Sequence, residues 1–130
     1  MVTASSTWRW CPGTLAVPGL ARAATDTFLR RVAAPPQMCL DARLVVSELV
    51  ANAVQHGGAD RSWVELRLED AGAAVRGSVR HPGAGFTPPA TPSAETVQGG
   101  RGLMLVAALT SGWGVTVGDG TTVWFEIERR

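Results

Sequence analysis

The sequence predicts an α+β fold, a two-layer α/β sandwich with helices on one face of a mixed, mainly antiparallel sheet. Three observations predict it. Two long stretches in the first half carry apolar residues at helical spacing. Later stretches alternate apolar and polar residues every second position, as a sheet with one wet face requires. Turn residues join those stretches in pairs, close enough for hairpins.

Residues 1–17 form a mixed N-terminal segment in which Trp8 and Trp10, two apart, suit an edge strand closed by Pro12 and Gly13. From Pro18 the run PGLARAATDTFLRRVA spaces Leu20, Ala24, Phe28 and Val32 as one helical face, with Pro at its start and Arg30 and Arg31 in its last turn. Ala34, Pro35 and Pro36 end it. A longer helix runs from Gln37 to His56, where Gly57 and Gly58 stop it. Residues 62–69 place Val64, Leu66 and Leu68 on one face of a strand, and Asp70 to Gly72 turn the chain into a second strand over 73–80. The stretch from His81 to Gly102 is broken by Pro82, Pro88, Pro89, Pro92 and several glycines, so it reads as a long loop, which in a small domain is usually functional or disordered. A short apolar helix follows from Gly102. WGVTV, a GDGT turn and TVWFEIE close the chain as a hairpin with Val123, Phe125 and Ile127 inward.

At 130 residues the chain is read as a single domain, 1–130, large enough for a core without staples. Its 45% apolar and 18% charged residues exclude disorder, and no stretch is long enough to span a bilayer, so the expectation is a cytoplasmic protein without membrane contact. A net charge of +1 gives no general pull toward nucleic acid. All twelve basic residues are Arg, which excludes a P-loop Lys and a Schiff-base Lys. Cys11, Cys39, His56 and His81 show no metal-ligand spacing, and both cysteines are read as structural.

Three short pieces carry the chemistry. Glu48, Asn52 and His56 lie at i, i+4 and i+8, a polar stripe on an otherwise apolar helix. Either the stripe lies on the solvent side of an amphipathic helix, or it faces a cleft where its polar groups find partners. His56, at the C-terminal end, is also explained by the helix dipole. HPGAGF, residues 81–86, follows a strand with Gly83 and Gly85 placed for close backbone approach. GGRGL, residues 99–103, sets glycines at a helix start whose free amides suit phosphate.

Together, in this order and spacing, the pieces resemble the GHKL (histidine kinase/gyrase-like) ATPase superfamily over roughly residues 18–128. SELVANAVQHG looks like its N box, HPGAGF stands at its first glycine box and GGRGLMLV at its second, with residues 86–98 between them as the ATP lid. The short length, the ELVANAVQHG wording and the closing hairpin look most like the stand-alone anti-sigma-factor serine/threonine kinase branch.

The resemblance implies a Bergerat-type ATP-binding fold and ATP with Mg2+ as cofactors. It makes Asn52 the Mg2+ ligand and Glu48 the general base for a Ser or Thr hydroxyl of a partner. His56, His81, Gly83, Gly85, Gly100, Gly102 and Leu103 would then line the nucleotide site, with Arg101 either a countercharge to phosphate or an exposed lid residue. The implied partners are a sigma factor or an anti-sigma-factor antagonist protein, in transcription regulation, with a homodimer in prospect and the N-terminal aromatic segment as its candidate contact.

The family's first glycine box usually opens with an aspartate that accepts from the adenine amino group; here the position is His81. A neutral imidazole can accept one such bond, a protonated one cannot. The alternative reading is therefore a catalytically idle binding module of the same fold that regulates a partner by contact. A full histidine kinase and a type II topoisomerase are not expected, because no phosphoacceptor helix or transducer domain is seen within this length.

Overall fold

Five strands and three helices follow one another as β1 (Ala4–Trp10), α1 (Val17–Arg31), α2 (Pro36–His56), β2 (Val64–Asp70), β3 (Ala74–His81), α3 (Val97–Leu109), β4 (Gly112–Gly118) and β5 (Gly120–Glu128). A computed structural model of the chain describes residues 4–11, 16–56, 63–82 and 97–129, and at positions 55, 56 and 97–102 it describes the backbone alone.

The strands form one open sheet in the order β1-β2-β3-β5-β4, and every pairing is antiparallel. No parallel pair occurs among the described strands, so the sheet is simpler than the mixed one expected. Alternation sets its two faces. Val64, Leu66 and Leu68 of β2, Val75 and Val79 of β3, and Val123, Phe125 and Ile127 of β5 are buried on the side covered by the helices. Phe28 and Leu29 of α1, Val45, Val46, Leu49 and Val50 of α2, and Val106 of α3 complete the same hydrophobic cluster. Gly77 makes room within it: a Cβ there would overlap the Phe125 ring and stand 2.9 Å from Leu68 Cδ2.

Two helices depart from the sequence reading. In α1 the buried face is Val17, Ala21, Thr25, Phe28 and Leu29, whereas Leu20 is 47% exposed. Thr25 can sit inside because its hydroxyl donates to the Ala21 carbonyl at 2.8 Å. Helix α3 begins at Val97, not Gly102, so the glycines of GGRG lie within it. Packing of α3 against α2 and β4 accompanies helix in a run that local propensity alone reads as loop.

At the far end of the sheet, Asp70 Oδ1 accepts from the Gly72 amide at 3.0 Å and closes the β2–β3 turn, in which Gly72 has φ +83°. Arg129 ties this turn to the end of α1. It pairs with Asp70 at 3.0 Å, donates to the Gly72 carbonyl at 3.0 Å, and reaches the Val32 and Ala33 carbonyls at 3.4 and 3.3 Å. The expected aromatic edge strand is β1. Trp8 packs edge-on against Phe28 with ring centroids 6.4 Å apart, and both Trp8 and Trp10 pack against the core. Cys39 is half-buried with its thiol toward the Ala34 carbonyl, while Cys11 is exposed, so the structural reading does not extend to Cys11.

Candidate functional site

Helix α2 crosses the sheet over β2, β3 and β5 and packs beside α3, so a side chain on its inner flank is enclosed from several sides. Its outer flank is marked by Leu40 and Leu44, 58% and 49% exposed. Asn52 is only 6% exposed, and Glu48, one turn earlier, is half-buried. Of the two readings the stripe allowed, the solvent-side one fails for Asn52.

The Asn52 amide is buried without its full complement of bonds: its Nδ2 has no hydrogen-bond partner among the described residues. A buried donor left in this state costs about 1–3 kcal/mol, which suits an acceptor that arrives from outside the chain. The same amide carries a neutral oxygen of the kind that ligates Mg2+. Among the described residues no three His, Cys, Asp or Glu side chains gather into a metal cage. Mg2+ does not need one, since it is commonly held by one or two protein oxygens together with substrate phosphates. The donor set therefore fits a metal that comes with a nucleotide. His56 is the last residue of α2, and its side chain lies outside the described residues.

His81 is the last residue of β3 and pairs with Thr121 of β5; the two are 3% and 0% exposed. Gly120 shapes this corner. Its φ is +128°, and a Cβ on it would stand 2.5 Å from the His81 carbonyl oxygen and 3.3 Å from Pro82 Cα. The strand end that presents His81 thus depends on a glycine in the neighbouring hairpin. Sequence reasoning took GDGT only as a turn and passed over Thr121; a polar residue in step with Val123, Phe125 and Ile127 was the available signal.

At the third piece, the helix start moves the free amides. The leading N–H groups that α3 leaves free, among the described residues, belong to Val97, Gln98 and Gly99. The amides of Gly100, Gly102 and Leu103 fall where the helix makes its own hydrogen bonds, so the expected phosphate-facing amides shift toward the start of the helix. Leu103 contributes a side chain 1% exposed. Arg101 lies on the same helix, with its side chain outside the described residues. Gly83, Gly85 and the lid as far as residue 96 also lie outside the described residues.

Two cavities among the described residues lie elsewhere. One of about 300 Å³ opens on the uncovered sheet face between Arg67, Arg76 and Trp124, and one of about 280 Å³ lies between Gln37, Leu109 and Glu128. Neither includes Glu48, Asn52 or His81. The open face is charge-paired: a hydrogen bond from Arg76 to Glu126 at 2.7 Å, with the attraction of that carboxylate, holds the guanidinium above its usual basicity.

Residues 12–127 match the model of the histidine kinase-like ATPase domain family. Among solved structures, the RsbU and RsbW domains of Rv1364c from Mycobacterium tuberculosis superpose with a TM-score of 0.77 at 24% identity, over 98% of this chain and 33% of that one. The histidine kinase domain of the blue-light activated histidine kinase from Erythrobacter litoralis EL346 superposes with a TM-score of 0.56 at 27% identity, over 88% of this chain and 60% of that one. A second structure, of that histidine kinase itself, gives a TM-score of 0.62 at 26% identity, over 82% of this chain and 40% of that one. The chain thus spans less than two thirds of each of these proteins. Among curated proteins, none matches it significantly. No helix among the described residues is long and apolar enough to cross a membrane.

Proposed function

The chain belongs to the histidine kinase-like ATPase family, and we propose that it binds Mg-ATP at α2, the end of β3 and the start of α3, as a protein serine/threonine kinase. The observation that carries the reading is the buried amide of Asn52, whose donor is unmet among the described residues. Bound Mg2+ would supply charge neutralisation across the phosphates. Asn52 would ligate it, and the leading amides of α3 would hold phosphate oxygens, with Gly100 allowing close approach and Arg101 helping. His81, with Gly83 and Gly85, would meet the adenine end, and the buried Thr121 would line the same corner. His56, Gly102 and Leu103 would support the nucleotide-binding elements.

Glu48 is half-buried on α2, one turn before Asn52. As general base it takes the proton of a Ser or Thr hydroxyl on the partner. The hydroxyl oxygen forms a bond to the γ-phosphorus, the bond from that phosphorus to the β–γ bridging oxygen breaks, and ADP leaves. The partner proposed is an anti-sigma-factor antagonist protein, with a sigma factor as the other binding partner, in the cytoplasm and without direct nucleic-acid contact.

Transfer from γ-labelled ATP to a Ser/Thr-bearing antagonist protein tests this. Glu48→Gln is expected to keep Mg-ATP binding and lose transfer by about a hundredfold or more. Transfer undiminished in Glu48→Gln removes Glu48 as the base. The second reading, an idle regulatory module, rests on His81 at the usual aspartate position, and ATP binding without transfer by the wild-type chain would favour it.

A further inference from the structure

We propose that the cavity between the start of α2 and the end of α3 binds a small aliphatic cation, a guanidinium group on a short apolar stem. The inference is independent of the nucleotide reading. Asp41, at this cavity, and Asn52 are eleven positions apart on α2, which sets them about 16 Å apart along the helix.

The chain itself shows what a helix end of this kind takes. In the last turn of α1 stand Arg30 and Arg31, and just beyond it the Arg129 guanidinium bridges the Asp70 carboxylate at 3.0 Å and the Val32 and Ala33 carbonyls at 3.4 and 3.3 Å. Such a cation answers both the negative end of the helix dipole and the carbonyls the helix leaves unbonded. Helix α3 has the same need and no basic residue in its last turn. Its end is only partly closed. Thr110 Oγ1 donates to the Val106 carbonyl at 2.7 Å, while the Ser111 amide and hydroxyl both turn to the Glu126 carbonyl, at 2.8 and 3.0 Å. No donor beyond the helix reaches the carbonyls of Ala107, Ala108 or Leu109 among the described residues.

Beside that end lies the cavity of about 280 Å³. The carboxylates of Asp41 and Glu128 line it, and no Arg or His does among the described residues. Asp41 Oδ1 accepts from the Gln37 amide at 2.8 Å, which leaves Oδ2 for another donor. The side chain is half-buried, so its charge is less screened than one in open water. Met38 and Ile127, 3% and 5% exposed, and the half-buried Leu109 form an apolar wall along which a short aliphatic stem can lie. Carboxylate and helix carbonyls thus stand together as they do around Arg129, with space between them. A planar fork that donates to both at once favours guanidinium over ammonium. The volume is at the lower end for small-molecule sites and suits a stem of a few carbons.

Titration of the isotope-labelled full chain with n-butylguanidinium, followed by the shifts of backbone amides, reads this directly. Saturable shifts at Asp41, Leu109 and Ser111 are expected, with a dissociation constant of about 1–10 mM for so few heavy atoms. n-Butylurea, of similar shape and without the charge, is expected to bind about tenfold more weakly or worse. Asp41→Asn combined with Glu128→Gln is expected to weaken n-butylguanidinium by about tenfold or more, with an unchanged circular dichroism spectrum. A Gly/Ser peptide carrying one arginine is expected to bind more weakly than n-butylguanidinium; tighter binding would assign the cavity to an arginine of a partner protein and overturn the proposal. No saturable shift in the wild type overturns it, as does equal binding of n-butylurea or a response insensitive to the double substitution. Binding that appears only in Arg130→Ala would mean that the chain's own last residue takes the cavity, and overturns it equally.

Discussion

Replacing Asn52 with Leu is predicted to separate stability from ligand binding in opposite directions. The side chain is 6% exposed and its Nδ2 has no partner among the described residues. An unmet buried donor costs about 1–3 kcal/mol, and an apolar group of similar shape removes that cost. Imperfect fit of the branched side chain returns about 1 kcal/mol, so the variant should gain between about 0 and 2 kcal/mol. Unfolding entropy scales at about 2.1 cal/mol/K per residue, so for 130 residues each kcal/mol moves the melting temperature by about 4 °C. The variant without nucleotide is therefore expected to melt between about 0 and 8 °C above wild type.

Mg-ATP at a hundredfold excess over its dissociation constant adds about 2.7 kcal/mol, or about 10 °C, to the wild type and nothing to Asn52→Leu. Thermal unfolding followed by circular dichroism, with and without Mg-ATP, reads both effects. A variant that melts well below wild type yet keeps the nucleotide shift would refute the reasoning, because Asn52 would then be a packing residue.

Other substitutions test the surrounding parts. His81→Asp should tighten Mg-ATP by about one to two powers of ten, since a charged acceptor contributes about 1.5–3 kcal/mol where the imidazole accepts weakly; equal affinities by calorimetry would place position 81 away from the adenine. Gly120→Ala should cost about 2–4 kcal/mol in denaturant unfolding, because it combines φ +128° with a Cβ 2.5 Å from the His81 carbonyl, and it should weaken nucleotide binding as well. Arg129→Ala leaves Asp70, 8% exposed, without its guanidinium; a loss of about 2–4 kcal/mol in urea is expected, with nucleotide affinity per folded molecule unchanged.

The sheet was legible in the sequence because only one of its faces is covered, so burial and alternation coincide in Val64, Leu66 and Leu68 and again in Val123, Phe125 and Ile127. Helices were legible in extent more than in orientation. Leu20 looked like core and is exposed, while Thr25 looked like surface and is buried, its hydroxyl satisfied by its own helix. The long apolar run of α2 hid which flank faces inward, since Leu40 and Leu44 stand in water, so Asn52 could be placed only once the helix was packed. Glycines in GGRG marked a loop by local propensity, yet the segment joins α3, where tertiary contacts outweigh about 1 kcal/mol per glycine. Gly120 was out of reach for another reason: its role depends on an approach to His81, 39 positions earlier in the chain.

Calorimetric titration of the wild-type chain with Mg-ATP, repeated on Asn52→Ala, tests the central claim most directly. Saturable binding of one nucleotide per chain in the wild type and none in the variant is the predicted result. No heat of binding in the wild type, or equal binding by both, would contradict a nucleotide site built around Asn52.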